Sequence, residues 1–354
     1  MANAAAPKTV LDTEKFVQNI LSSIERDRER EIVARRFGLF DRRETLEQIG
    51  ELLGITRERV RQLEKSVVAR FKTLAADGEL PHIKEVDALL VQQLHLMGEA
   101  ARNSDLAGQV TAENSKTDQS RVTFLAMLCP RLVVIEEDDN YYQAAGIASV
   151  RDTEAMKADI NKLHAAIKKA GEPITISEAA AAAGLSDVQQ ANALATIDKG
   201  LATLNGRWGL VKWPMVNPKN IRDKIYVILK EHGKHMHFNE IADAIKKSDF
   251  KRKDVTTQAI HNELIKDKRF VLIGRGIYAL KEWGYSKGTV ADIITEVLRE
   301  AGEPLHRDEI VKRVLKSRFV KETTILLNLQ GKSQFKRVAK ATYELDGDVA
   351  ESGA

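Results

Sequence analysis

Apolar residues recur at helical spacing along most of this chain, and short alternating stretches follow several of the predicted helices. Between residues 45 and 74 the pattern predicts two helices joined by a tight turn. Thr45 is placed to cap the first helix and Gly54 to end it, while Thr56 caps a second helix that runs from Arg57 to about Leu74. The apolar positions that join the two helices are Ile49, Leu53, Ile55, Val60 and Leu63.

Gly50 is small enough to let the two backbones cross closely, and the whole spacing is that of a DNA-binding helix–turn–helix. Residues 57–72 carry six basic and two acidic side chains. Arginine forks onto guanine, glutamate accepts from cytosine and glutamine pairs with adenine, so the start of this helix has residue types that read a major groove. Phosphate contacts suit Arg59, Arg61 and Lys65, and a solvated charged face is the alternative. The predicted outward face consists of Arg57, Glu58, Arg61, Gln62 and Lys65.

Three stretches, REREIVARRFGL at 28–39, TLEQIG at 45–50 and TRERVRQLE at 56–64, together resemble region 4 of bacterial sigma-70 factors. That region recognises the −35 promoter element and contacts the flap of the RNA polymerase β subunit. The resemblance implies that the base-reading residues are Arg57, Glu58 and Gln62. It implies contacts to the DNA backbone at Arg28, Arg36, Thr45, Arg59, Arg61 and Lys65.

The chain departs from complete sigma factors upstream of this match. Sigma factors have upstream helices rich in tryptophan and tyrosine, which capture and unstack the −10 strand as single-strand binding requires. Here Phe16 is the only aromatic residue before position 28, and the tryptophans Trp208, Trp213 and Trp283 lie far downstream. We therefore expect that this chain does not melt a promoter alone.

A loose repeat begins near residue 86. Its marker glycines stand at 98, 171, 233 and 302, and such a spacing indicates a series of small similar units. Each repeat has the same predicted order: a helix that ends at the glycine, two shorter helices and a β-hairpin. Three helices and a hairpin form a winged helix.

The third repeat resembles a named family. Its segments TQAIHNEL at 257–264, DKRFV at 267–271 and GRGIYAL at 274–280 resemble the HARE-type helix–turn–helix. That family includes the N-terminal domain of the RNA polymerase delta subunit. The fourth repeat is less similar because residues 332–345 lack the Gly-Arg-Gly turn.

Charge differs between the repeats. Residues 81–148 carry five basic and ten acidic side chains, whereas residues 214–283 carry fifteen and nine. For the basic repeat we expect contact with nucleic acid or polymerase rather than a purely scaffolding role. For the acidic one we expect a protein partner, unless its Glu136–Asp139 run is only a solvated hairpin turn. The basic residues that form the positive field are Lys251, Arg252, Lys253, Lys268, Arg269 and Arg275.

Composition excludes several classes of protein. The 354 residues are 43% hydrophobic and 30% charged, and no apolar run approaches the roughly 18–20 residues of a membrane helix. The N-terminus lacks a signal-peptide pattern, so a cytoplasmic location is expected. Cys129, in an apolar run, is expected to be a buried hydrophobic residue. His232, His235 and His237 fit no usual zinc spacing. We expect no catalytic residue, no metal and no cofactor, hence no enzyme.

The sequence thus predicts a mainly α protein with small β-hairpins, in which a helix–turn–helix domain precedes tandem winged-helix units. Its expected role is sequence-specific binding of double-stranded, −35-type promoter DNA and of the RNA polymerase core, in the bacterial cytoplasm at the nucleoid. One alternative is a delta-like polymerase accessory subunit that docks mainly on protein; another is the DNA-recognition subunit of a restriction–modification system. The predicted segments are a sigma-like segment at 1–80, an acidic degenerate winged helix at 84–148, a winged helix at 152–214, the HARE-type winged helix at 218–284, a winged helix at 287–346 and a disordered tail at 347–354.

Overall fold

The computed structural model describes residues 10–250, 254–285 and 288–346, and the chain divides into two compact units, Met1–Lys212 and Trp213–Ala354. The described ranges contain 16 α-helices and four three-stranded antiparallel sheets. This confirms the predicted fold class, mainly α with small β-hairpins. The finer division into five segments remains a prediction, and its tail at 347–354 lies outside the described residues.

The first unit begins with four helices. The joint between α3 and α4 has its own small core, in which Ile32, Ile49 and Val60 are fully buried. Further along α4, Val67 and Phe71 enter the larger core of the unit. The same helix therefore ties the helix–turn–helix to the segments that follow. The bounds are α1 Thr13–Ser22, α2 Asp27–Phe37, α3 Leu46–Leu53 and α4 Arg57–Ala76.

Two winged-helix segments complete the first unit, and each has the order helix, strand, helix, helix, strand, strand. The first consists of α5 Ile83–Met97, β1 Ala100–Arg102, α6 Asn103–Val110, α7 Lys116–Leu128, β2 Leu132–Ile135 and β3 Ala144–Ile147. The second consists of α8 Thr153–Ala170, β4 Ile174–Thr175, α9 Ile176–Ala183, α10 Val188–Ile197, β5 Leu201–Leu204 and β6 Arg207–Leu210.

The second unit contains two further segments with this order. The third consists of α11 Ile221–His232, β7 Met236–His237, α12 Phe238–Lys247, α13 Thr257–Lys266, β8 Phe270–Gly274 and β9 Ile277–Leu280. The fourth consists of α14 Val290–Ala301, β10 Leu305–His306, α15 Arg307–Ser317, α16 Glu322–Gly331, β11 Phe335–Ala339 and β12 Thr342–Leu345. Within this unit the two segments meet where the Phe319 amide donates to the Ile273 carbonyl at 3.2 Å.

All four sheets have the same topology. In each, the short strand before the second helix pairs with the last strand of the hairpin, as in Ile174 opposite Trp208 and Met236 opposite Tyr278. The sequence predicted the hairpins but not this third strand, which is only two or three residues long. Alternation over so short a stretch gives no pattern to detect.

The third helix of the first winged segment, α7, is buried from Arg121 to Ala126 and packs against the N-terminal helices. Its Arg121 is 8% exposed, and the guanidinium donates to the Leu39 carbonyl at 2.7 Å and to Glu14 at 2.9 Å. A second link joins the Thr13 hydroxyl to Asp118 at 3.3 Å. This helix therefore holds the helix–turn–helix in place and has little free surface.

The third helix of the second segment, α10, is packed against the first segment. The Gln189 amide donates to the Leu96 carbonyl at 2.8 Å, and the Gln190 amide donates to Glu99 at 2.6 Å. Gly98 lies so close that an added Cβ would be 2.6 Å from the Gln189 carbonyl oxygen. The first two winged segments are thus joined through the helix that a winged helix uses to enter DNA.

Candidate nucleic-acid interface

The turn between α3 and α4 is fixed by hydrogen bonds at both helix starts. The Thr45 side chain accepts from the Gln48 amide at 3.2 Å while Gln48 accepts from the Thr45 amide at 2.9 Å, which is a capping box. The Thr56 hydroxyl accepts from the Arg59 amide at 3.2 Å and starts α4. Gly54 ends α3 with φ of 63°, a left-handed conformation that favours glycine. These caps fix where α3 ends and where α4 begins.

The predicted reading face lies on one side of α4. At 3.6 residues per turn the five predicted positions span about 140° of arc, opposite the buried stripe of Val60, Val67 and Phe71. One of them, Arg61, is partly exposed, and the others are exposed. The geometry that base reading requires is therefore present, and the base contacts themselves stay predictions. The members of this reading face are Arg57, Glu58, Arg61, Gln62 and Lys65.

Glu58 and Arg61 form an ion pair that the sequence prediction did not contain. The Arg61 guanidinium donates to both carboxylate oxygens of Glu58, at 2.8 and 2.6 Å. This hydrogen bonding lowers the pKa of Glu58 and raises the pKa of Arg61. Glu58 is therefore an ionised acceptor. The i, i+3 spacing of opposite charges on a helix is the signal that could have predicted this pair.

Hydrogen bonds continue the pair along the face. The Gln62 amide lies 3.5 Å from a Glu58 oxygen, and the Arg59 guanidinium donates to the Gln62 side-chain oxygen at 3.4 Å. These weak contacts arrange the side chains without burying them. A base edge can replace them at little cost because both partners stay exposed to water.

Arg57 and Lys65 differ from their neighbours on the face. Within the described ranges neither side chain has a hydrogen bond or an ion pair. Arg57 also occupies the first turn of α4, where backbone N–H groups and the helix dipole favour an anion. Both cations are available to bases or phosphates without first breaking a contact.

Arg28 and Arg36, predicted as backbone contacts, already have partners in the fold. Arg28 donates to the Leu53 carbonyl at the end of α3. Arg36 donates to Glu64 at 3.2 Å and to the Glu44 carbonyl at 3.4 Å, and so joins α2 to α4. Their first role in this structure is to hold the helices together, and contact with phosphate stays a prediction.

An acidic hairpin limits the positive surface toward the end of α4. The lining of a cleft of about 360 Å³ includes Arg43, Lys72 of α4, and Glu136 and Glu137 of the hairpin loop. Glu137 is paired with Lys199 at 2.7 Å, so the exposed carboxylate of Glu136 is the one that repels a duplex approaching along the C-terminal half of α4. The charge pattern favours approach through the first turns of the helix, where Arg57 and Gln62 lie.

The predicted cations of the third winged segment are not equivalent. Lys268 and Arg275 are exposed. Arg269 instead donates to Asp267 at 2.7 Å and to Asp223 at 3.2 Å, so its charge is already compensated. The predicted contacts at Lys251, Arg252 and Lys253 lie outside the described residues.

Burial raises the pKa of the Cys129 thiol well above its usual value, as expected for a buried hydrophobic position. Among the described residues no group of three or more His, Cys, Asp or Glu side chains is arranged to hold a metal ion. In the same part of the chain, none of the helices has both the length and the apolar character needed to cross a bilayer.

Comparison with known proteins agrees with the geometry of the N-terminal helices. Residues 26–72 match the family model for Sigma-70, region 4. The chain is similar to the RNA polymerase sigma factor sigB of Arabidopsis thaliana, with 43% identity over 54 residues, which are 15% of this chain and 9% of that protein. It is also similar to the RNA polymerase sigma factor RpoD of Helicobacter pylori, with 38% identity over 64 residues, 18% of this chain and 9% of that protein. The similarity is thus confined to a short stretch of each.

Proposed function

We propose that this chain is a sequence-specific DNA-binding transcription protein that acts at promoters, on RNA polymerase, or on both, during initiation or its regulation. In this proposal the sigma-like helix–turn–helix reads a −35-type element of double-stranded DNA. The winged-helix segments add contacts to DNA or to the polymerase core. The proposal includes a bacterial cytoplasmic location at the nucleoid and a non-catalytic role that needs no cofactor.

The reading face of α4 is the observation that carries the proposal. The face is exposed, and the joint beneath it has two capped helix starts and a small buried core. The face combines arginine, glutamate and glutamine, which are the side chains that distinguish bases. The match of residues 26–72 to Sigma-70, region 4 supports the same role. The resemblance of the third segment to HARE-type domains supports a polymerase-linked role.

Selection of duplexes from a random library tests whether α4 reads bases. We expect Glu58→Ala and Gln62→Ala each to change the selected sequence, because each removes a contact worth about 1–3 kcal/mol of discrimination. Lys65→Ala is the matched control on the same face: it should weaken all duplexes alike and lower the salt slope by about 1. Equal losses on every sequence from all three variants would contradict base reading.

Arg61→Ala separates the two functions of the Glu58–Arg61 pair. If Arg61 only restrains Glu58, this variant should broaden the preference at the base that Glu58 reads. If Arg61 contacts phosphate, the salt slope falls by about 1 with the preference intact. The double variant Glu58→Ala/Arg61→Ala completes the cycle and measures the coupling between the two residues.

A polymerase accessory subunit that docks mainly on protein is the second candidate. The burial of α7 and α10 favours it, because two of the four winged segments use their DNA-entering helix for internal packing. The exposed carboxylate of Glu136 in the acidic hairpin adds a charge that repels phosphate. Co-purification with polymerase that survives nuclease treatment would favour this candidate, provided that Glu58→Ala and Gln62→Ala leave it unchanged.

A further inference from the structure

The fourth winged segment has an uncovered third helix. In α16, Thr323, Leu327 and Gln330 are exposed, and their i, i+4, i+7 spacing places them on one side of the helix. Leu327 is 67% exposed, whereas the opposite side buries Ile325 and Leu329 in the segment core. Unlike α7 and α10, this helix keeps an outward face that carries no charge.

Positive charge surrounds that face. Residues 321–345, from the N-cap of α16 to the end of β12, carry five basic and two acidic side chains, against four and two in the corresponding stretch 256–280 of the third segment. One of those four, Arg269, is already paired with two aspartates. Within the described ranges, the stretch from the third helix to the end of the wing thus has five cations without a carboxylate partner in the fourth segment against three in the third, although the fourth hairpin lacks the Gly-Arg-Gly turn. The exposed cations beside α16 are Lys332, Lys336, Arg337 and Lys340.

Three of these cations lie on the wing formed by β11 and β12. β11 is an edge strand, and a bulge between Arg337 and Ala339 interrupts its pairing with β12. Within the described ranges none of Lys336, Arg337 and Lys340 forms an ion pair with a carboxylate. Their charge therefore remains available to an external anion. The uncharged face of α16 beside them can approach a groove of duplex DNA without repelling its phosphates.

We propose that the fourth winged segment is a second duplex-DNA-binding surface, in which α16 faces the DNA and the β11–β12 wing contacts phosphates. Charge complementarity identifies the partner, because a polyanion matches the group of unpaired cations on this wing next to a neutral helix face. Binding through this surface is largely independent of sequence, since its charged contacts come from the wing and go to phosphates, which carry no sequence information. The proposal does not depend on base reading by α4.

The competing explanation is that the wing cations protect an exposed strand. Lysine on an edge strand prevents pairing with the edge of another molecule. This explanation predicts no effect on DNA binding when the cations are removed. It predicts self-association instead, so one set of variants distinguishes the two.

Salt-dependent binding of the full chain to a random-sequence duplex tests the proposal. The triple variant Lys336→Ala/Arg337→Ala/Lys340→Ala should lower the slope of log K against log salt by about 2–3, since each phosphate contact contributes about 0.9. The matched control Lys281→Ala/Arg299→Ala/Lys312→Ala removes the same charge from exposed positions away from the wing. It should change the slope by less than about 1.

Leu327→Glu provides a test that removes no cation. A carboxylate on the outward face of α16 should weaken duplex binding about tenfold, whereas Leu327→Ala should have little effect, and neither change disturbs the buried side of the helix.

Equal effects of the wing and control triples would overturn the proposal. So would unchanged DNA binding with new self-association in sedimentation, or tighter binding of single-stranded RNA than of duplex DNA. Because Glu58→Ala and Gln62→Ala report on sequence preference alone, this proposal and the proposed function can fail separately.

Discussion

At the scale of single residues, one glycine sets the geometry of the helix–turn–helix. A Cβ on Gly50 would lie 2.7 Å from the Ile55 carbonyl oxygen, a backbone atom that cannot move without moving the turn. Glycine normally destabilises a helix interior relative to alanine by about 0.5–1 kcal/mol. Its presence in α3 is explained by the close crossing rather than by helix propensity, as the sequence predicted.

Gly50→Ala should therefore destabilise the α3–α4 joint by about 1–3 kcal/mol, despite the better helix propensity of alanine. Hydrogen exchange of the α3 and α4 amides measures this locally, which is necessary because a chain with several segments does not unfold in two states. Gly331→Ala is the control, since that helical glycine has open space around its Cβ position. Slower exchange in α3 after Gly50→Ala would show that the crossing is not tight.

Much of the reading face could be predicted from residue types and spacing, but its internal contacts could not. Helical spacing places Arg57, Glu58 and Gln62 on one side regardless of their rotamers. The bonds of Arg28 to the Leu53 carbonyl and of Arg36 to Glu64 join residues more than 20 positions apart. Such contacts depend on how the helices pack, and the local pattern of the sequence carries no signal for them.

At the scale of elements, the four winged segments share one topology and differ in what covers the third helix. In the first unit α7 lies under the N-terminal helices and α10 lies against the first segment, whereas α16 keeps an exposed face. The sequence predicted the repeated order of elements because each helix has its own apolar stripe. The sequence could not predict which third helix is covered. An alanine-rich helix such as α10 has the same pattern of apolar residues whichever part of the protein packs against it.

Gly98 and Gly171 offer a matched test of how α10 is held. Both glycines end the first helix of a winged segment with positive φ, so alanine at either costs roughly 1–2 kcal/mol of backbone strain. Only at position 98 does the added Cβ also meet the Gln189 backbone, because nothing lies within 4 Å of the position at 171. Gly98→Ala should therefore accelerate exchange of the α10 amides at least tenfold beyond Gly171→Ala. Equal exchange in both variants would mean that α10 does not depend on this contact.

At the scale of the whole molecule, the chain consists of two compact units that separate between Lys212 and Trp213. The first combines the helix–turn–helix with two winged segments through shared cores, and the second contains the other two segments. The sequence repeat suggested four winged units in tandem, of different charge but of the same order of elements. The structure groups them in pairs, because the first two segments pack against each other and against the N-terminal helices. A repeat pattern does not encode such packing.

Residues 1–212 and 213–354, produced as separate fragments, should each fold and should divide the DNA-binding properties between them. We expect the first fragment to keep the sequence preference of the full chain, since the reading face and the helices that support it are all within it. The second should bind duplexes with a salt-dependent affinity and little preference. Circular dichroism melting with binding to matched and random duplexes checks both. A second fragment without a cooperative transition would show that the units depend on each other.

The burial of α10 also bears on which substitutions this protein can accept. Ala191, Ala193 and Ala195 are nearly inaccessible to water, so a longer side chain at any of them would have to displace a neighbouring backbone. Thr323 and Leu327 on α16 are exposed, so a longer side chain at either position displaces no neighbouring backbone. In a library of all single substitutions, positions of α10 should be depleted through loss of folded protein. Substitutions on the outward side of α16 should be tolerated, except under conditions in which growth requires the DNA contact proposed for this helix.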